Sequence, residues 1–177
     1  YDESGFMPEW ASPGHRECMI GNNSISLLTD AWMKGIRTIC PEKALEAMIH
    51  QTEARHPGIS SVGRDGFGYY DRLGYVPYPE VHEATAKTLE YAYADWCVAR
   101  FADSIGRKEI ADTYYRKALN YRNLYYPDYG FMWAKDANGK WRDAFDATEW
   151  GGPFTEGSSW HWTWSVLHDP EGLSRLM

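Results

Sequence analysis

Residues 82–124 decide the fold class of this chain; they read HEATAKTLEYAYADWCVARFADSIGRKEIADTYYRKALNYRNL. Apolar residues recur along the first half of this stretch with the spacing of an α-helix, on two different faces. They are Leu89, Ala92, Tyr93 and Trp96 on one face and Tyr91, Ala94, Val98, Phe101 and Ile105 on the other. A helix that is apolar on two faces is mostly buried, so the pattern predicts a central helix over 82–105. Gly106 ends this helix, and so short a connection makes the next helix, predicted near 107–124, antiparallel to it.

Shorter elements are predicted on the N-terminal side of this helix pair. Residues 1–20 are interrupted by proline and glycine, and we expect them to form a loop. Asn22, Asn23 and Ser24 offer a helix N-cap, so a helix is predicted near 23–36. Pro41 suits the first turn of a second helix, and a short helical piece is expected near 66–73.

The sequence that follows this helix pair contains the residues that predict β-strands. Residues 130–142 predict a β-hairpin with its turn at Asp136-Ala-Asn138-Gly139. Residues 158–168 are predicted to be helical, and Asp169-Pro170 is predicted to begin one more short helix. The fold class predicted from these patterns is mainly α, with about six helices and one short β-hairpin.

Charge and composition narrow the classes of partner. The chain has 18 basic and 25 acidic residues and a formal net charge of −7, without a basic stretch, so no nucleic acid partner is expected. No run of about 20 apolar residues is present, so no membrane span is expected.

The chain opens at Tyr1 and closes at Met177 within a helical pattern that lacks a cap. We therefore expect both ends to be cut from a longer protein.

Several common catalytic and metal-binding motifs are missing from the sequence. Cys18, Cys40 and Cys97 form no CxxC pair and are predicted to be buried free thiols. No HExxH or GxSxG motif is present, which argues against zinc hydrolysis and acyl transfer. His161 and His168 lie seven residues apart on one predicted helix and could face one cleft, which supports zinc only weakly. No residue of the chain is assigned as a metal ligand.

The stretch Trp150-Gly-Gly-Pro-Phe-Thr-Glu156-Gly-Ser-Ser-Trp160-His-Trp162 places one carboxyl group among aromatic rings. Apolar rings remove water from a carboxyl group and favour its protonated form, which a general acid needs near neutral pH. Aromatic faces also suit the C–H faces of a sugar. We therefore expect Glu156 to be a general acid in a glycoside-cleaving site.

A glycosidase needs a second carboxylate, about 5–5.5 Å from the first for retention or about 6.5–9.5 Å for inversion. Asp143, Asp146 and Glu149 precede Glu156 in polar sequence, where carboxylates are more often solvated loop residues. Spacing alone does not choose among them.

A series of segments, in order along the chain, is similar to one enzyme family. They are Gly5-Phe-Met-Pro8-Glu-Trp10, Cys18-Met-Ile-Gly21, Tyr75-Val-Pro77, Lys87-Thr-Leu-Glu-Tyr-Ala-Tyr93-Ala-Asp95-Trp-Cys97, Tyr121-Arg-Asn123-Leu, Gly130-Phe-Met132, Trp150-Gly-Gly152-Pro-Phe-Thr-Glu156-Gly and His168-Asp-Pro-Glu-Gly172. With these segments the chain resembles the catalytic domain of the calcium-dependent exo-α-mannosidases of glycoside hydrolase family 92.

The resemblance implies a fold and an activity. The family's catalytic domain is an (α/α)₆ barrel of twelve helices, so residues 1–177 would be a central fragment of that single domain, about half of the toroid, without an internal boundary. The family implies an inverting exo-α-mannosidase that releases mannose from α-mannosides such as N-glycan or mannan chains. It also implies calcium as a cofactor, an α-mannoside oligosaccharide as partner, and an extracytoplasmic location of the parent protein.

The resemblance also assigns roles to individual residues. The family's acid falls on Glu156, and Trp160 matches a tryptophan beside the sugar pocket. We expect Trp10 and Trp150 to rim the same pocket. Asn23 stands where many members of the family are expected to have histidine, and Ser158 and His161 replace the commoner Asn and Gln. We expect these changes to alter the pocket, and His161 remains a candidate for substrate binding.

The family's base aspartates and most of its calcium ligands are expected beyond residue 177, so we expect the fragment alone to be inactive. Half a barrel would leave apolar faces uncovered, as on the 82–105 helix, and self-association through them is expected.

Two alternative functions stay open. One is another (α/α) barrel carbohydrate-active enzyme with a different sugar specificity, and the other is a non-enzymatic helical binding scaffold.

Overall fold

The computed structural model describes residues 1–9, 15–16, 18–59 and 61–177. Within these ranges the chain is mainly helical with one small antiparallel sheet, and this predicted fold class is confirmed. The elements in chain order are α1 (Asn23–Met33), α2 (Pro41–Glu53), α3 (Phe67–Leu73), α4 (Ala84–Ser104), α5 (Lys108–Lys117), a 3₁₀ helix (Ala118–Leu124), β1 (Tyr125–Tyr126), β2 (Phe131–Met132), α6 (Ser159–Trp162) and α7 (Pro170–Leu176). In the part of the chain described, no helix is both long enough and apolar enough to cross a membrane.

The chain forms two compact units. Unit 1 consists of Tyr1–Phe67 and Ala94–Ala118, and unit 2 of Gly68–Tyr93 and Leu119–Met177. Helix α4 contributes its C-terminal half to unit 1 and its N-terminal half to unit 2. That residues 1–177 belong to one domain without an internal boundary stays a prediction.

Unit 1 contains α1, α2, α5 and the second half of α4. Asn22 caps α1 as predicted, since its side-chain oxygen accepts a hydrogen bond from the Ser24 backbone N–H at 3.0 Å. The Arg64 guanidinium lies 2.7 Å from the Asp95 carboxylate on α4, and both side chains are buried. This ion pair holds the segment after α2 against α4.

Unit 2 contains the sheet, α6, α7 and the first half of α4. Its main core cluster consists of Tyr75, Leu89, Ala92, Tyr121, Leu124, Tyr125, Met132, Val166 and Leu173. A second cluster consists of Tyr70, Val76, Val81, Ala84 and Tyr91. Leu89 and Tyr91 are buried in their respective clusters, and Val98 and Phe101 are buried as well. Tyr93, Ala94, Trp96 and Ile105 are only partly buried, so the described residues cover the apolar faces of this helix in part, and self-association through them stays a prediction.

The regular strands lie earlier in the chain than the predicted hairpin. Strand β1 pairs with β2 in the register Tyr125 to Met132 and Tyr126 to Phe131. The predicted turn is present as well: Lys135 and Trp141 form an antiparallel bridge, the Arg142 N–H donates to the Ala134 carbonyl at 2.9 Å, and the Asp136 N–H donates to the Lys140 carbonyl at 2.9 Å. This pairing is too short and irregular to form strands.

The predicted helix over 158–168 is limited to α6. The helix ends at Trp162, although Thr163 keeps helical dihedral angles and its N–H still donates to the Ser159 carbonyl at 3.0 Å. The Thr163 hydroxyl accepts a hydrogen bond from the Met132 backbone N–H at 2.9 Å. Asp169 is non-helical and caps α7, its side chain accepting from the Gly172 N–H at 2.9 Å. His161 and His168 are consequently not on one helix, and the geometric basis for a shared zinc cleft is gone.

The cysteines are free, as expected, but only Cys97 is buried; Cys18 and Cys40 are exposed. The prediction of burial was wrong for these two because both lie in exposed segments outside the helices. Neither lies on the apolar face of an element.

Candidate active site

The loop that carries Glu156 is fixed on the N-terminus of α4. The first N–H groups of a helix lack partners within the helix and need acceptors from elsewhere. Here the Pro153 carbonyl accepts hydrogen bonds from the N–H groups of Thr85 and Ala86, at 3.0 and 3.2 Å. The Gly152 carbonyl accepts from the Glu83 N–H at 3.2 Å. The loop thus takes the place of a side-chain cap on α4, and these hydrogen bonds fix the first residues of the loop.

Contacts on both sides of Glu156 close the loop. The Gly151 N–H donates to the Gly157 carbonyl at 2.8 Å. Phe154 is fully buried against Trp133, with ring centroids 6.1 Å apart. The indole N–H of Trp162 donates to the Thr155 carbonyl at 2.8 Å. Residues on both sides of the carboxyl group are therefore held by named contacts.

Glycine at position 157 follows from the packing of α6. A Cβ on this residue would lie 3.1 Å from the Trp162 indole nitrogen and 3.3 Å from the His161 Cβ. Such spacing is tighter than ordinary packing allows, and only a residue without a side chain fits without displacing the helix. The glycine brings the backbone beside Glu156 directly against α6.

Glu156 itself has a left-handed backbone, with φ of 43°, and an exposed side chain. A non-glycine residue in this region carries strain of about 1 kcal/mol or more, which is common at functional sites. Among the described residues none forms a hydrogen bond or ion pair with its carboxylate. The expectation that aromatic rings bury Glu156 is wrong for these 177 residues, because the neighbouring indoles are themselves exposed.

The aromatic candidates form an exposed surface next to Glu156 in sequence. Trp150 is 67% exposed and Trp160 is 51% exposed, while Trp160 keeps an edge contact with Phe131 at 4.9 Å between centroids. Trp164, which the sequence interpretation did not select, is 55% exposed as well. Trp10 lies outside the described residues. Exposed ring faces of this kind are available to a ligand.

His161 is exposed and bound to the loop through its δ nitrogen. The Ser158 backbone N–H donates to Nδ1 of His161 at 3.1 Å, and the Ser158 hydroxyl lies 3.0 Å from the same nitrogen. Together with the His161 N–H, which reaches Ser158, these contacts form a capping box at the start of α6. The ring also meets Trp150 edge to face, with centroids 5.6 Å apart.

The three nearby carboxylates are all engaged. Glu149 forms a bidentate pair with Arg142, at 2.7 and 2.8 Å, and this pairing raises the pKa of Arg142. Asp146 accepts from the hydroxyl and N–H of Thr148, which lowers the pKa of Asp146. Asp143 pairs with Lys140 at 2.9 Å. None of the three is left as an unpartnered base.

Arg142 is the supporting residue that sequence reasoning missed. Its guanidinium lies 5.2 Å above the Trp133 ring while it holds Glu149. Glu149 Oε1 in turn would lie 3.5 Å from a Cβ on Gly152, so the pair supports the start of the loop. No sequence signal indicates the pair, because seven residues of irregular chain separate its members.

The described residues offer no cluster of metal ligands. Across residues 1–9, 15–16, 18–59 and 61–177, no group of three or more His, Cys, Asp or Glu side chains is arranged to hold a metal ion. The described residues therefore do not fit a calcium site.

Comparisons with known proteins agree with the resemblance inferred from the sequence, which is confirmed. An inverting mannosidase of family GH92 from Bacteroides thetaiotaomicron VPI-5482 is 82% identical over 100% of this chain, with a TM-score of 0.98. A GH92 α-mannosidase from Bacteroides thetaiotaomicron, solved in complex with mannoimidazole, is 30% identical over 89% of this chain, with a TM-score of 0.76. An uncharacterized secreted glycosidase of Arthroderma benhamiae is 26% identical over 142 residues, or 68% of this chain.

The chain spans only part of each relative, namely 24% and 22% of the two solved chains and 18% of the fungal protein. The family model described as the glycosyl hydrolase family 92 catalytic domain matches residues 1–177. The loop around Glu156 therefore lies in a chain that belongs to the catalytic domain of glycosyl hydrolase family 92.

Proposed function

We propose that the protein carrying this chain is an inverting exo-α-mannosidase, and that residues 1–177 are its acid-bearing part. The observation that carries the proposal is the 82% identity to an inverting mannosidase over the whole chain, with a TM-score of 0.98. The substrate is an α-mannoside oligosaccharide such as an N-glycan or mannan chain. Glu156 is the general acid, and Trp10, Trp150, Trp160 and His161 bind the sugar.

In the proposed reaction Glu156 gives its proton to the glycosidic oxygen while the bond from that oxygen to the anomeric carbon breaks. A base removes a proton from a water molecule that attacks the anomeric carbon from the opposite face, which inverts the configuration. Asp143, Asp146 and Glu149 are all engaged by neighbours, which supports a base outside these 177 residues. Calcium stays in the proposal as a cofactor of the parent enzyme, with ligands outside this chain.

The exposure of Glu156 is consistent with this proposal only if further residues cover the loop. This chain covers 24% of the solved relative, so most of that relative's residues have no counterpart here. We propose that the chain is about half of one (α/α)₆ toroid and that the remainder shields Glu156 from water. The exposed rings of Trp150, Trp160 and Trp164 support contact with that remainder or with another copy. An extracytoplasmic location is proposed, supported by the relative named as secreted.

The decisive experiment replaces the proposed acid in the intact enzyme. General acid catalysis contributes about 10²–10⁴-fold, so Glu156→Gln should lower turnover of an α-mannobioside by that factor. Turnover of 2,4-dinitrophenyl α-mannoside should fall far less, because this leaving group needs no protonation. The matched control is Glu171→Gln at an exposed position on α7. Unchanged turnover of both substrates by Glu156→Gln would show that Glu156 is not the acid.

Sugar specificity is tested separately. Hydrolysis of α-mannosides but not α-glucosides by the intact enzyme, lost on calcium chelation, is expected. The reverse preference would favour an (α/α) barrel enzyme with another substrate. Membership in a glycoside hydrolase family favours either enzyme over a helical scaffold.

A further inference from the structure

His161 connects the two ends of the loop that carries Glu156. Its Nδ1 accepts a hydrogen bond from the Ser158 N–H, two residues after Glu156, at 3.1 Å. Its ring edge meets Trp150, at the start of the loop, at 5.6 Å. One side chain on α6 thus contacts the chain both before and after the carboxyl group.

The hydrogen bonds define which nitrogen of His161 carries its proton. A backbone N–H can only donate, so Nδ1 must be the acceptor and cannot carry a proton in this arrangement. In the neutral ring the proton is then on Nε2, on an exposed side chain. Protonation of Nδ1 would leave the Ser158 N–H without its acceptor.

The backbone at Glu156 needs such support. Its left-handed conformation, with φ of 43°, is unfavourable for a residue with a side chain and persists only where surrounding contacts hold it. The contacts on the two sides of it are the Trp162–Thr155 hydrogen bond before it, and the Gly151–Gly157 hydrogen bond and the capping box of Ser158 with His161 after it. Of these contacts, the capping box is made by the His161 side chain, which also contacts Trp150.

We propose that His161 is a positioning residue for Glu156: the Ser158–His161 capping box holds the turn in which the acid is aimed at the glycosidic oxygen. This proposal rests on the proposed function, since it assigns His161 a role through the acid. A misplacement of about 1 Å in a catalytic group can reduce the rate by about 10²-fold. Loss of the imidazole acceptor should therefore impair the protonation step specifically.

The test compares three variants of the intact enzyme on two leaving groups. His161→Ala removes the acceptor and should lower kcat/KM for an α-mannobioside by about 10–10²-fold. For 2,4-dinitrophenyl α-mannoside the loss should be within about 3-fold, since that substrate needs no acid. His161→Gln places an amide oxygen at the position where glutamine accepts from the N-cap N–H, and should restore most of the activity. His161→Asn is too short to reach Ser158 and serves as the comparison with Gln if the Ala variant does not fold.

Each result decides between the alternatives. Equal losses on both substrates, or a Gln variant no better than Asn or Ala, would overturn the positioning role and leave His161 a structural or sugar-binding residue. If Glu156→Gln shows the leaving-group dependence and His161→Ala does not, this inference fails while the proposed acid stands. If Glu156→Gln itself lacks that dependence, the proposed acid is wrong and the role of His161 falls with it.

Discussion

At the scale of single residues, Asp169 links three parts of unit 2 through one carboxylate. It accepts hydrogen bonds from the Tyr121 hydroxyl at 2.7 Å, from Arg122 at 2.9 Å and from the Gly172 N–H at 2.9 Å. Burial works in the opposite direction, but these hydrogen bonds hold the pKa of Asp169 below its ordinary value. A lowered pKa means that the carboxylate stabilises the fold above its ordinary pKa and loses this effect as the pH falls through the lowered value.

We expect Asp169→Asn to reduce the free energy of unfolding by about 1–2 kcal/mol at pH 7, because asparagine keeps the N-cap but not the charge. The difference from wild type should be constant above about pH 5 and shrink below about pH 4. Urea denaturation across this range measures it, with exposed Asp128→Asn as control. A difference that persists unchanged at pH 3 would show that the charge is not involved.

Glu9 presents the opposite case. Both of its carboxylate oxygens are buried without a hydrogen-bond partner among the described residues, and burial raises its pKa from 4.5 to about 7. The charged form is disfavoured in the folded state, so Glu9 costs stability as the pH rises above about 4.5, fully so above pH 7.

Replacement of Glu9 by glutamine should therefore stabilise the protein at pH 8, by about 1–2 kcal/mol after allowance for its partial exposure, and change nothing at pH 4. Thermal denaturation at the two pH values measures this effect. The exposed Glu3→Gln variant should be neutral at both. A destabilised Glu9→Gln variant at pH 8 would mean that the carboxylate is charged and paired.

The sequence offers candidate residues for the site, but it did not predict their environment. Glu156, Trp150 and Trp160 were selected because residue types and spacing are local information. The exposure of Glu156 and its left-handed backbone were not predicted, since both depend on the Gly151–Gly157 hydrogen bond and on the packing of α6. The role of His161 likewise needed the hydrogen bond from Ser158.

At the scale of elements, the Arg64–Asp95 pair joins the segment after α2 to α4. Exposure of these side chains is 4% and 0%, at an N–O distance of 2.7 Å. Removal of one member leaves a buried charge without its partner, which costs about 3–5 kcal/mol. We expect that loss for Asp95→Asn in urea denaturation at pH 7. The double variant Arg64→Met with Asp95→Leu should recover most of it, and a double variant as unstable as the single one would contradict the argument.

The helices whose starts are marked by capping residues or proline in the sequence were predicted most closely. Asn22, Pro41 and Asp169-Pro170 mark the starts of α1, α2 and α7 to within one residue. Elements whose ends depend on distant partners were predicted less well. Residues 158–168 have a helical pattern, but α6 covers only Ser159–Trp162, where the hydroxyls of Ser159 and Thr163 bond to the backbone of Met132.

At the scale of the whole molecule, the exposed indoles and the engaged carboxylates have one explanation. Trp150, Trp160 and Trp164 are each more than half exposed, and in the proposed function the remainder of the parent protein contacts them. In the proposed function the acid, Glu156, lies in this chain and the base lies outside it. This division comes from the family's order of motifs, which composition and periodicity could not have provided.

The same division predicts that the 177-residue chain alone hydrolyses no mannoside, including 2,4-dinitrophenyl α-mannoside. That substrate removes the need for the acid, but a base to activate water is still required, and in the proposed function the base and the calcium ligands lie outside this chain. Asp143, Asp146 and Glu149 bind Lys140, Thr148 and Arg142, which supports this placement of the base. Release of dinitrophenol measures the activity, after circular dichroism has confirmed that the chain is helical.

The intact enzyme with Glu156→Gln is the control, because it keeps the base and should remain active on this substrate. Turnover by the chain alone within about 10-fold of that control would place the base inside residues 1–177, since a tenfold change corresponds to only about 1.4 kcal/mol in the barrier.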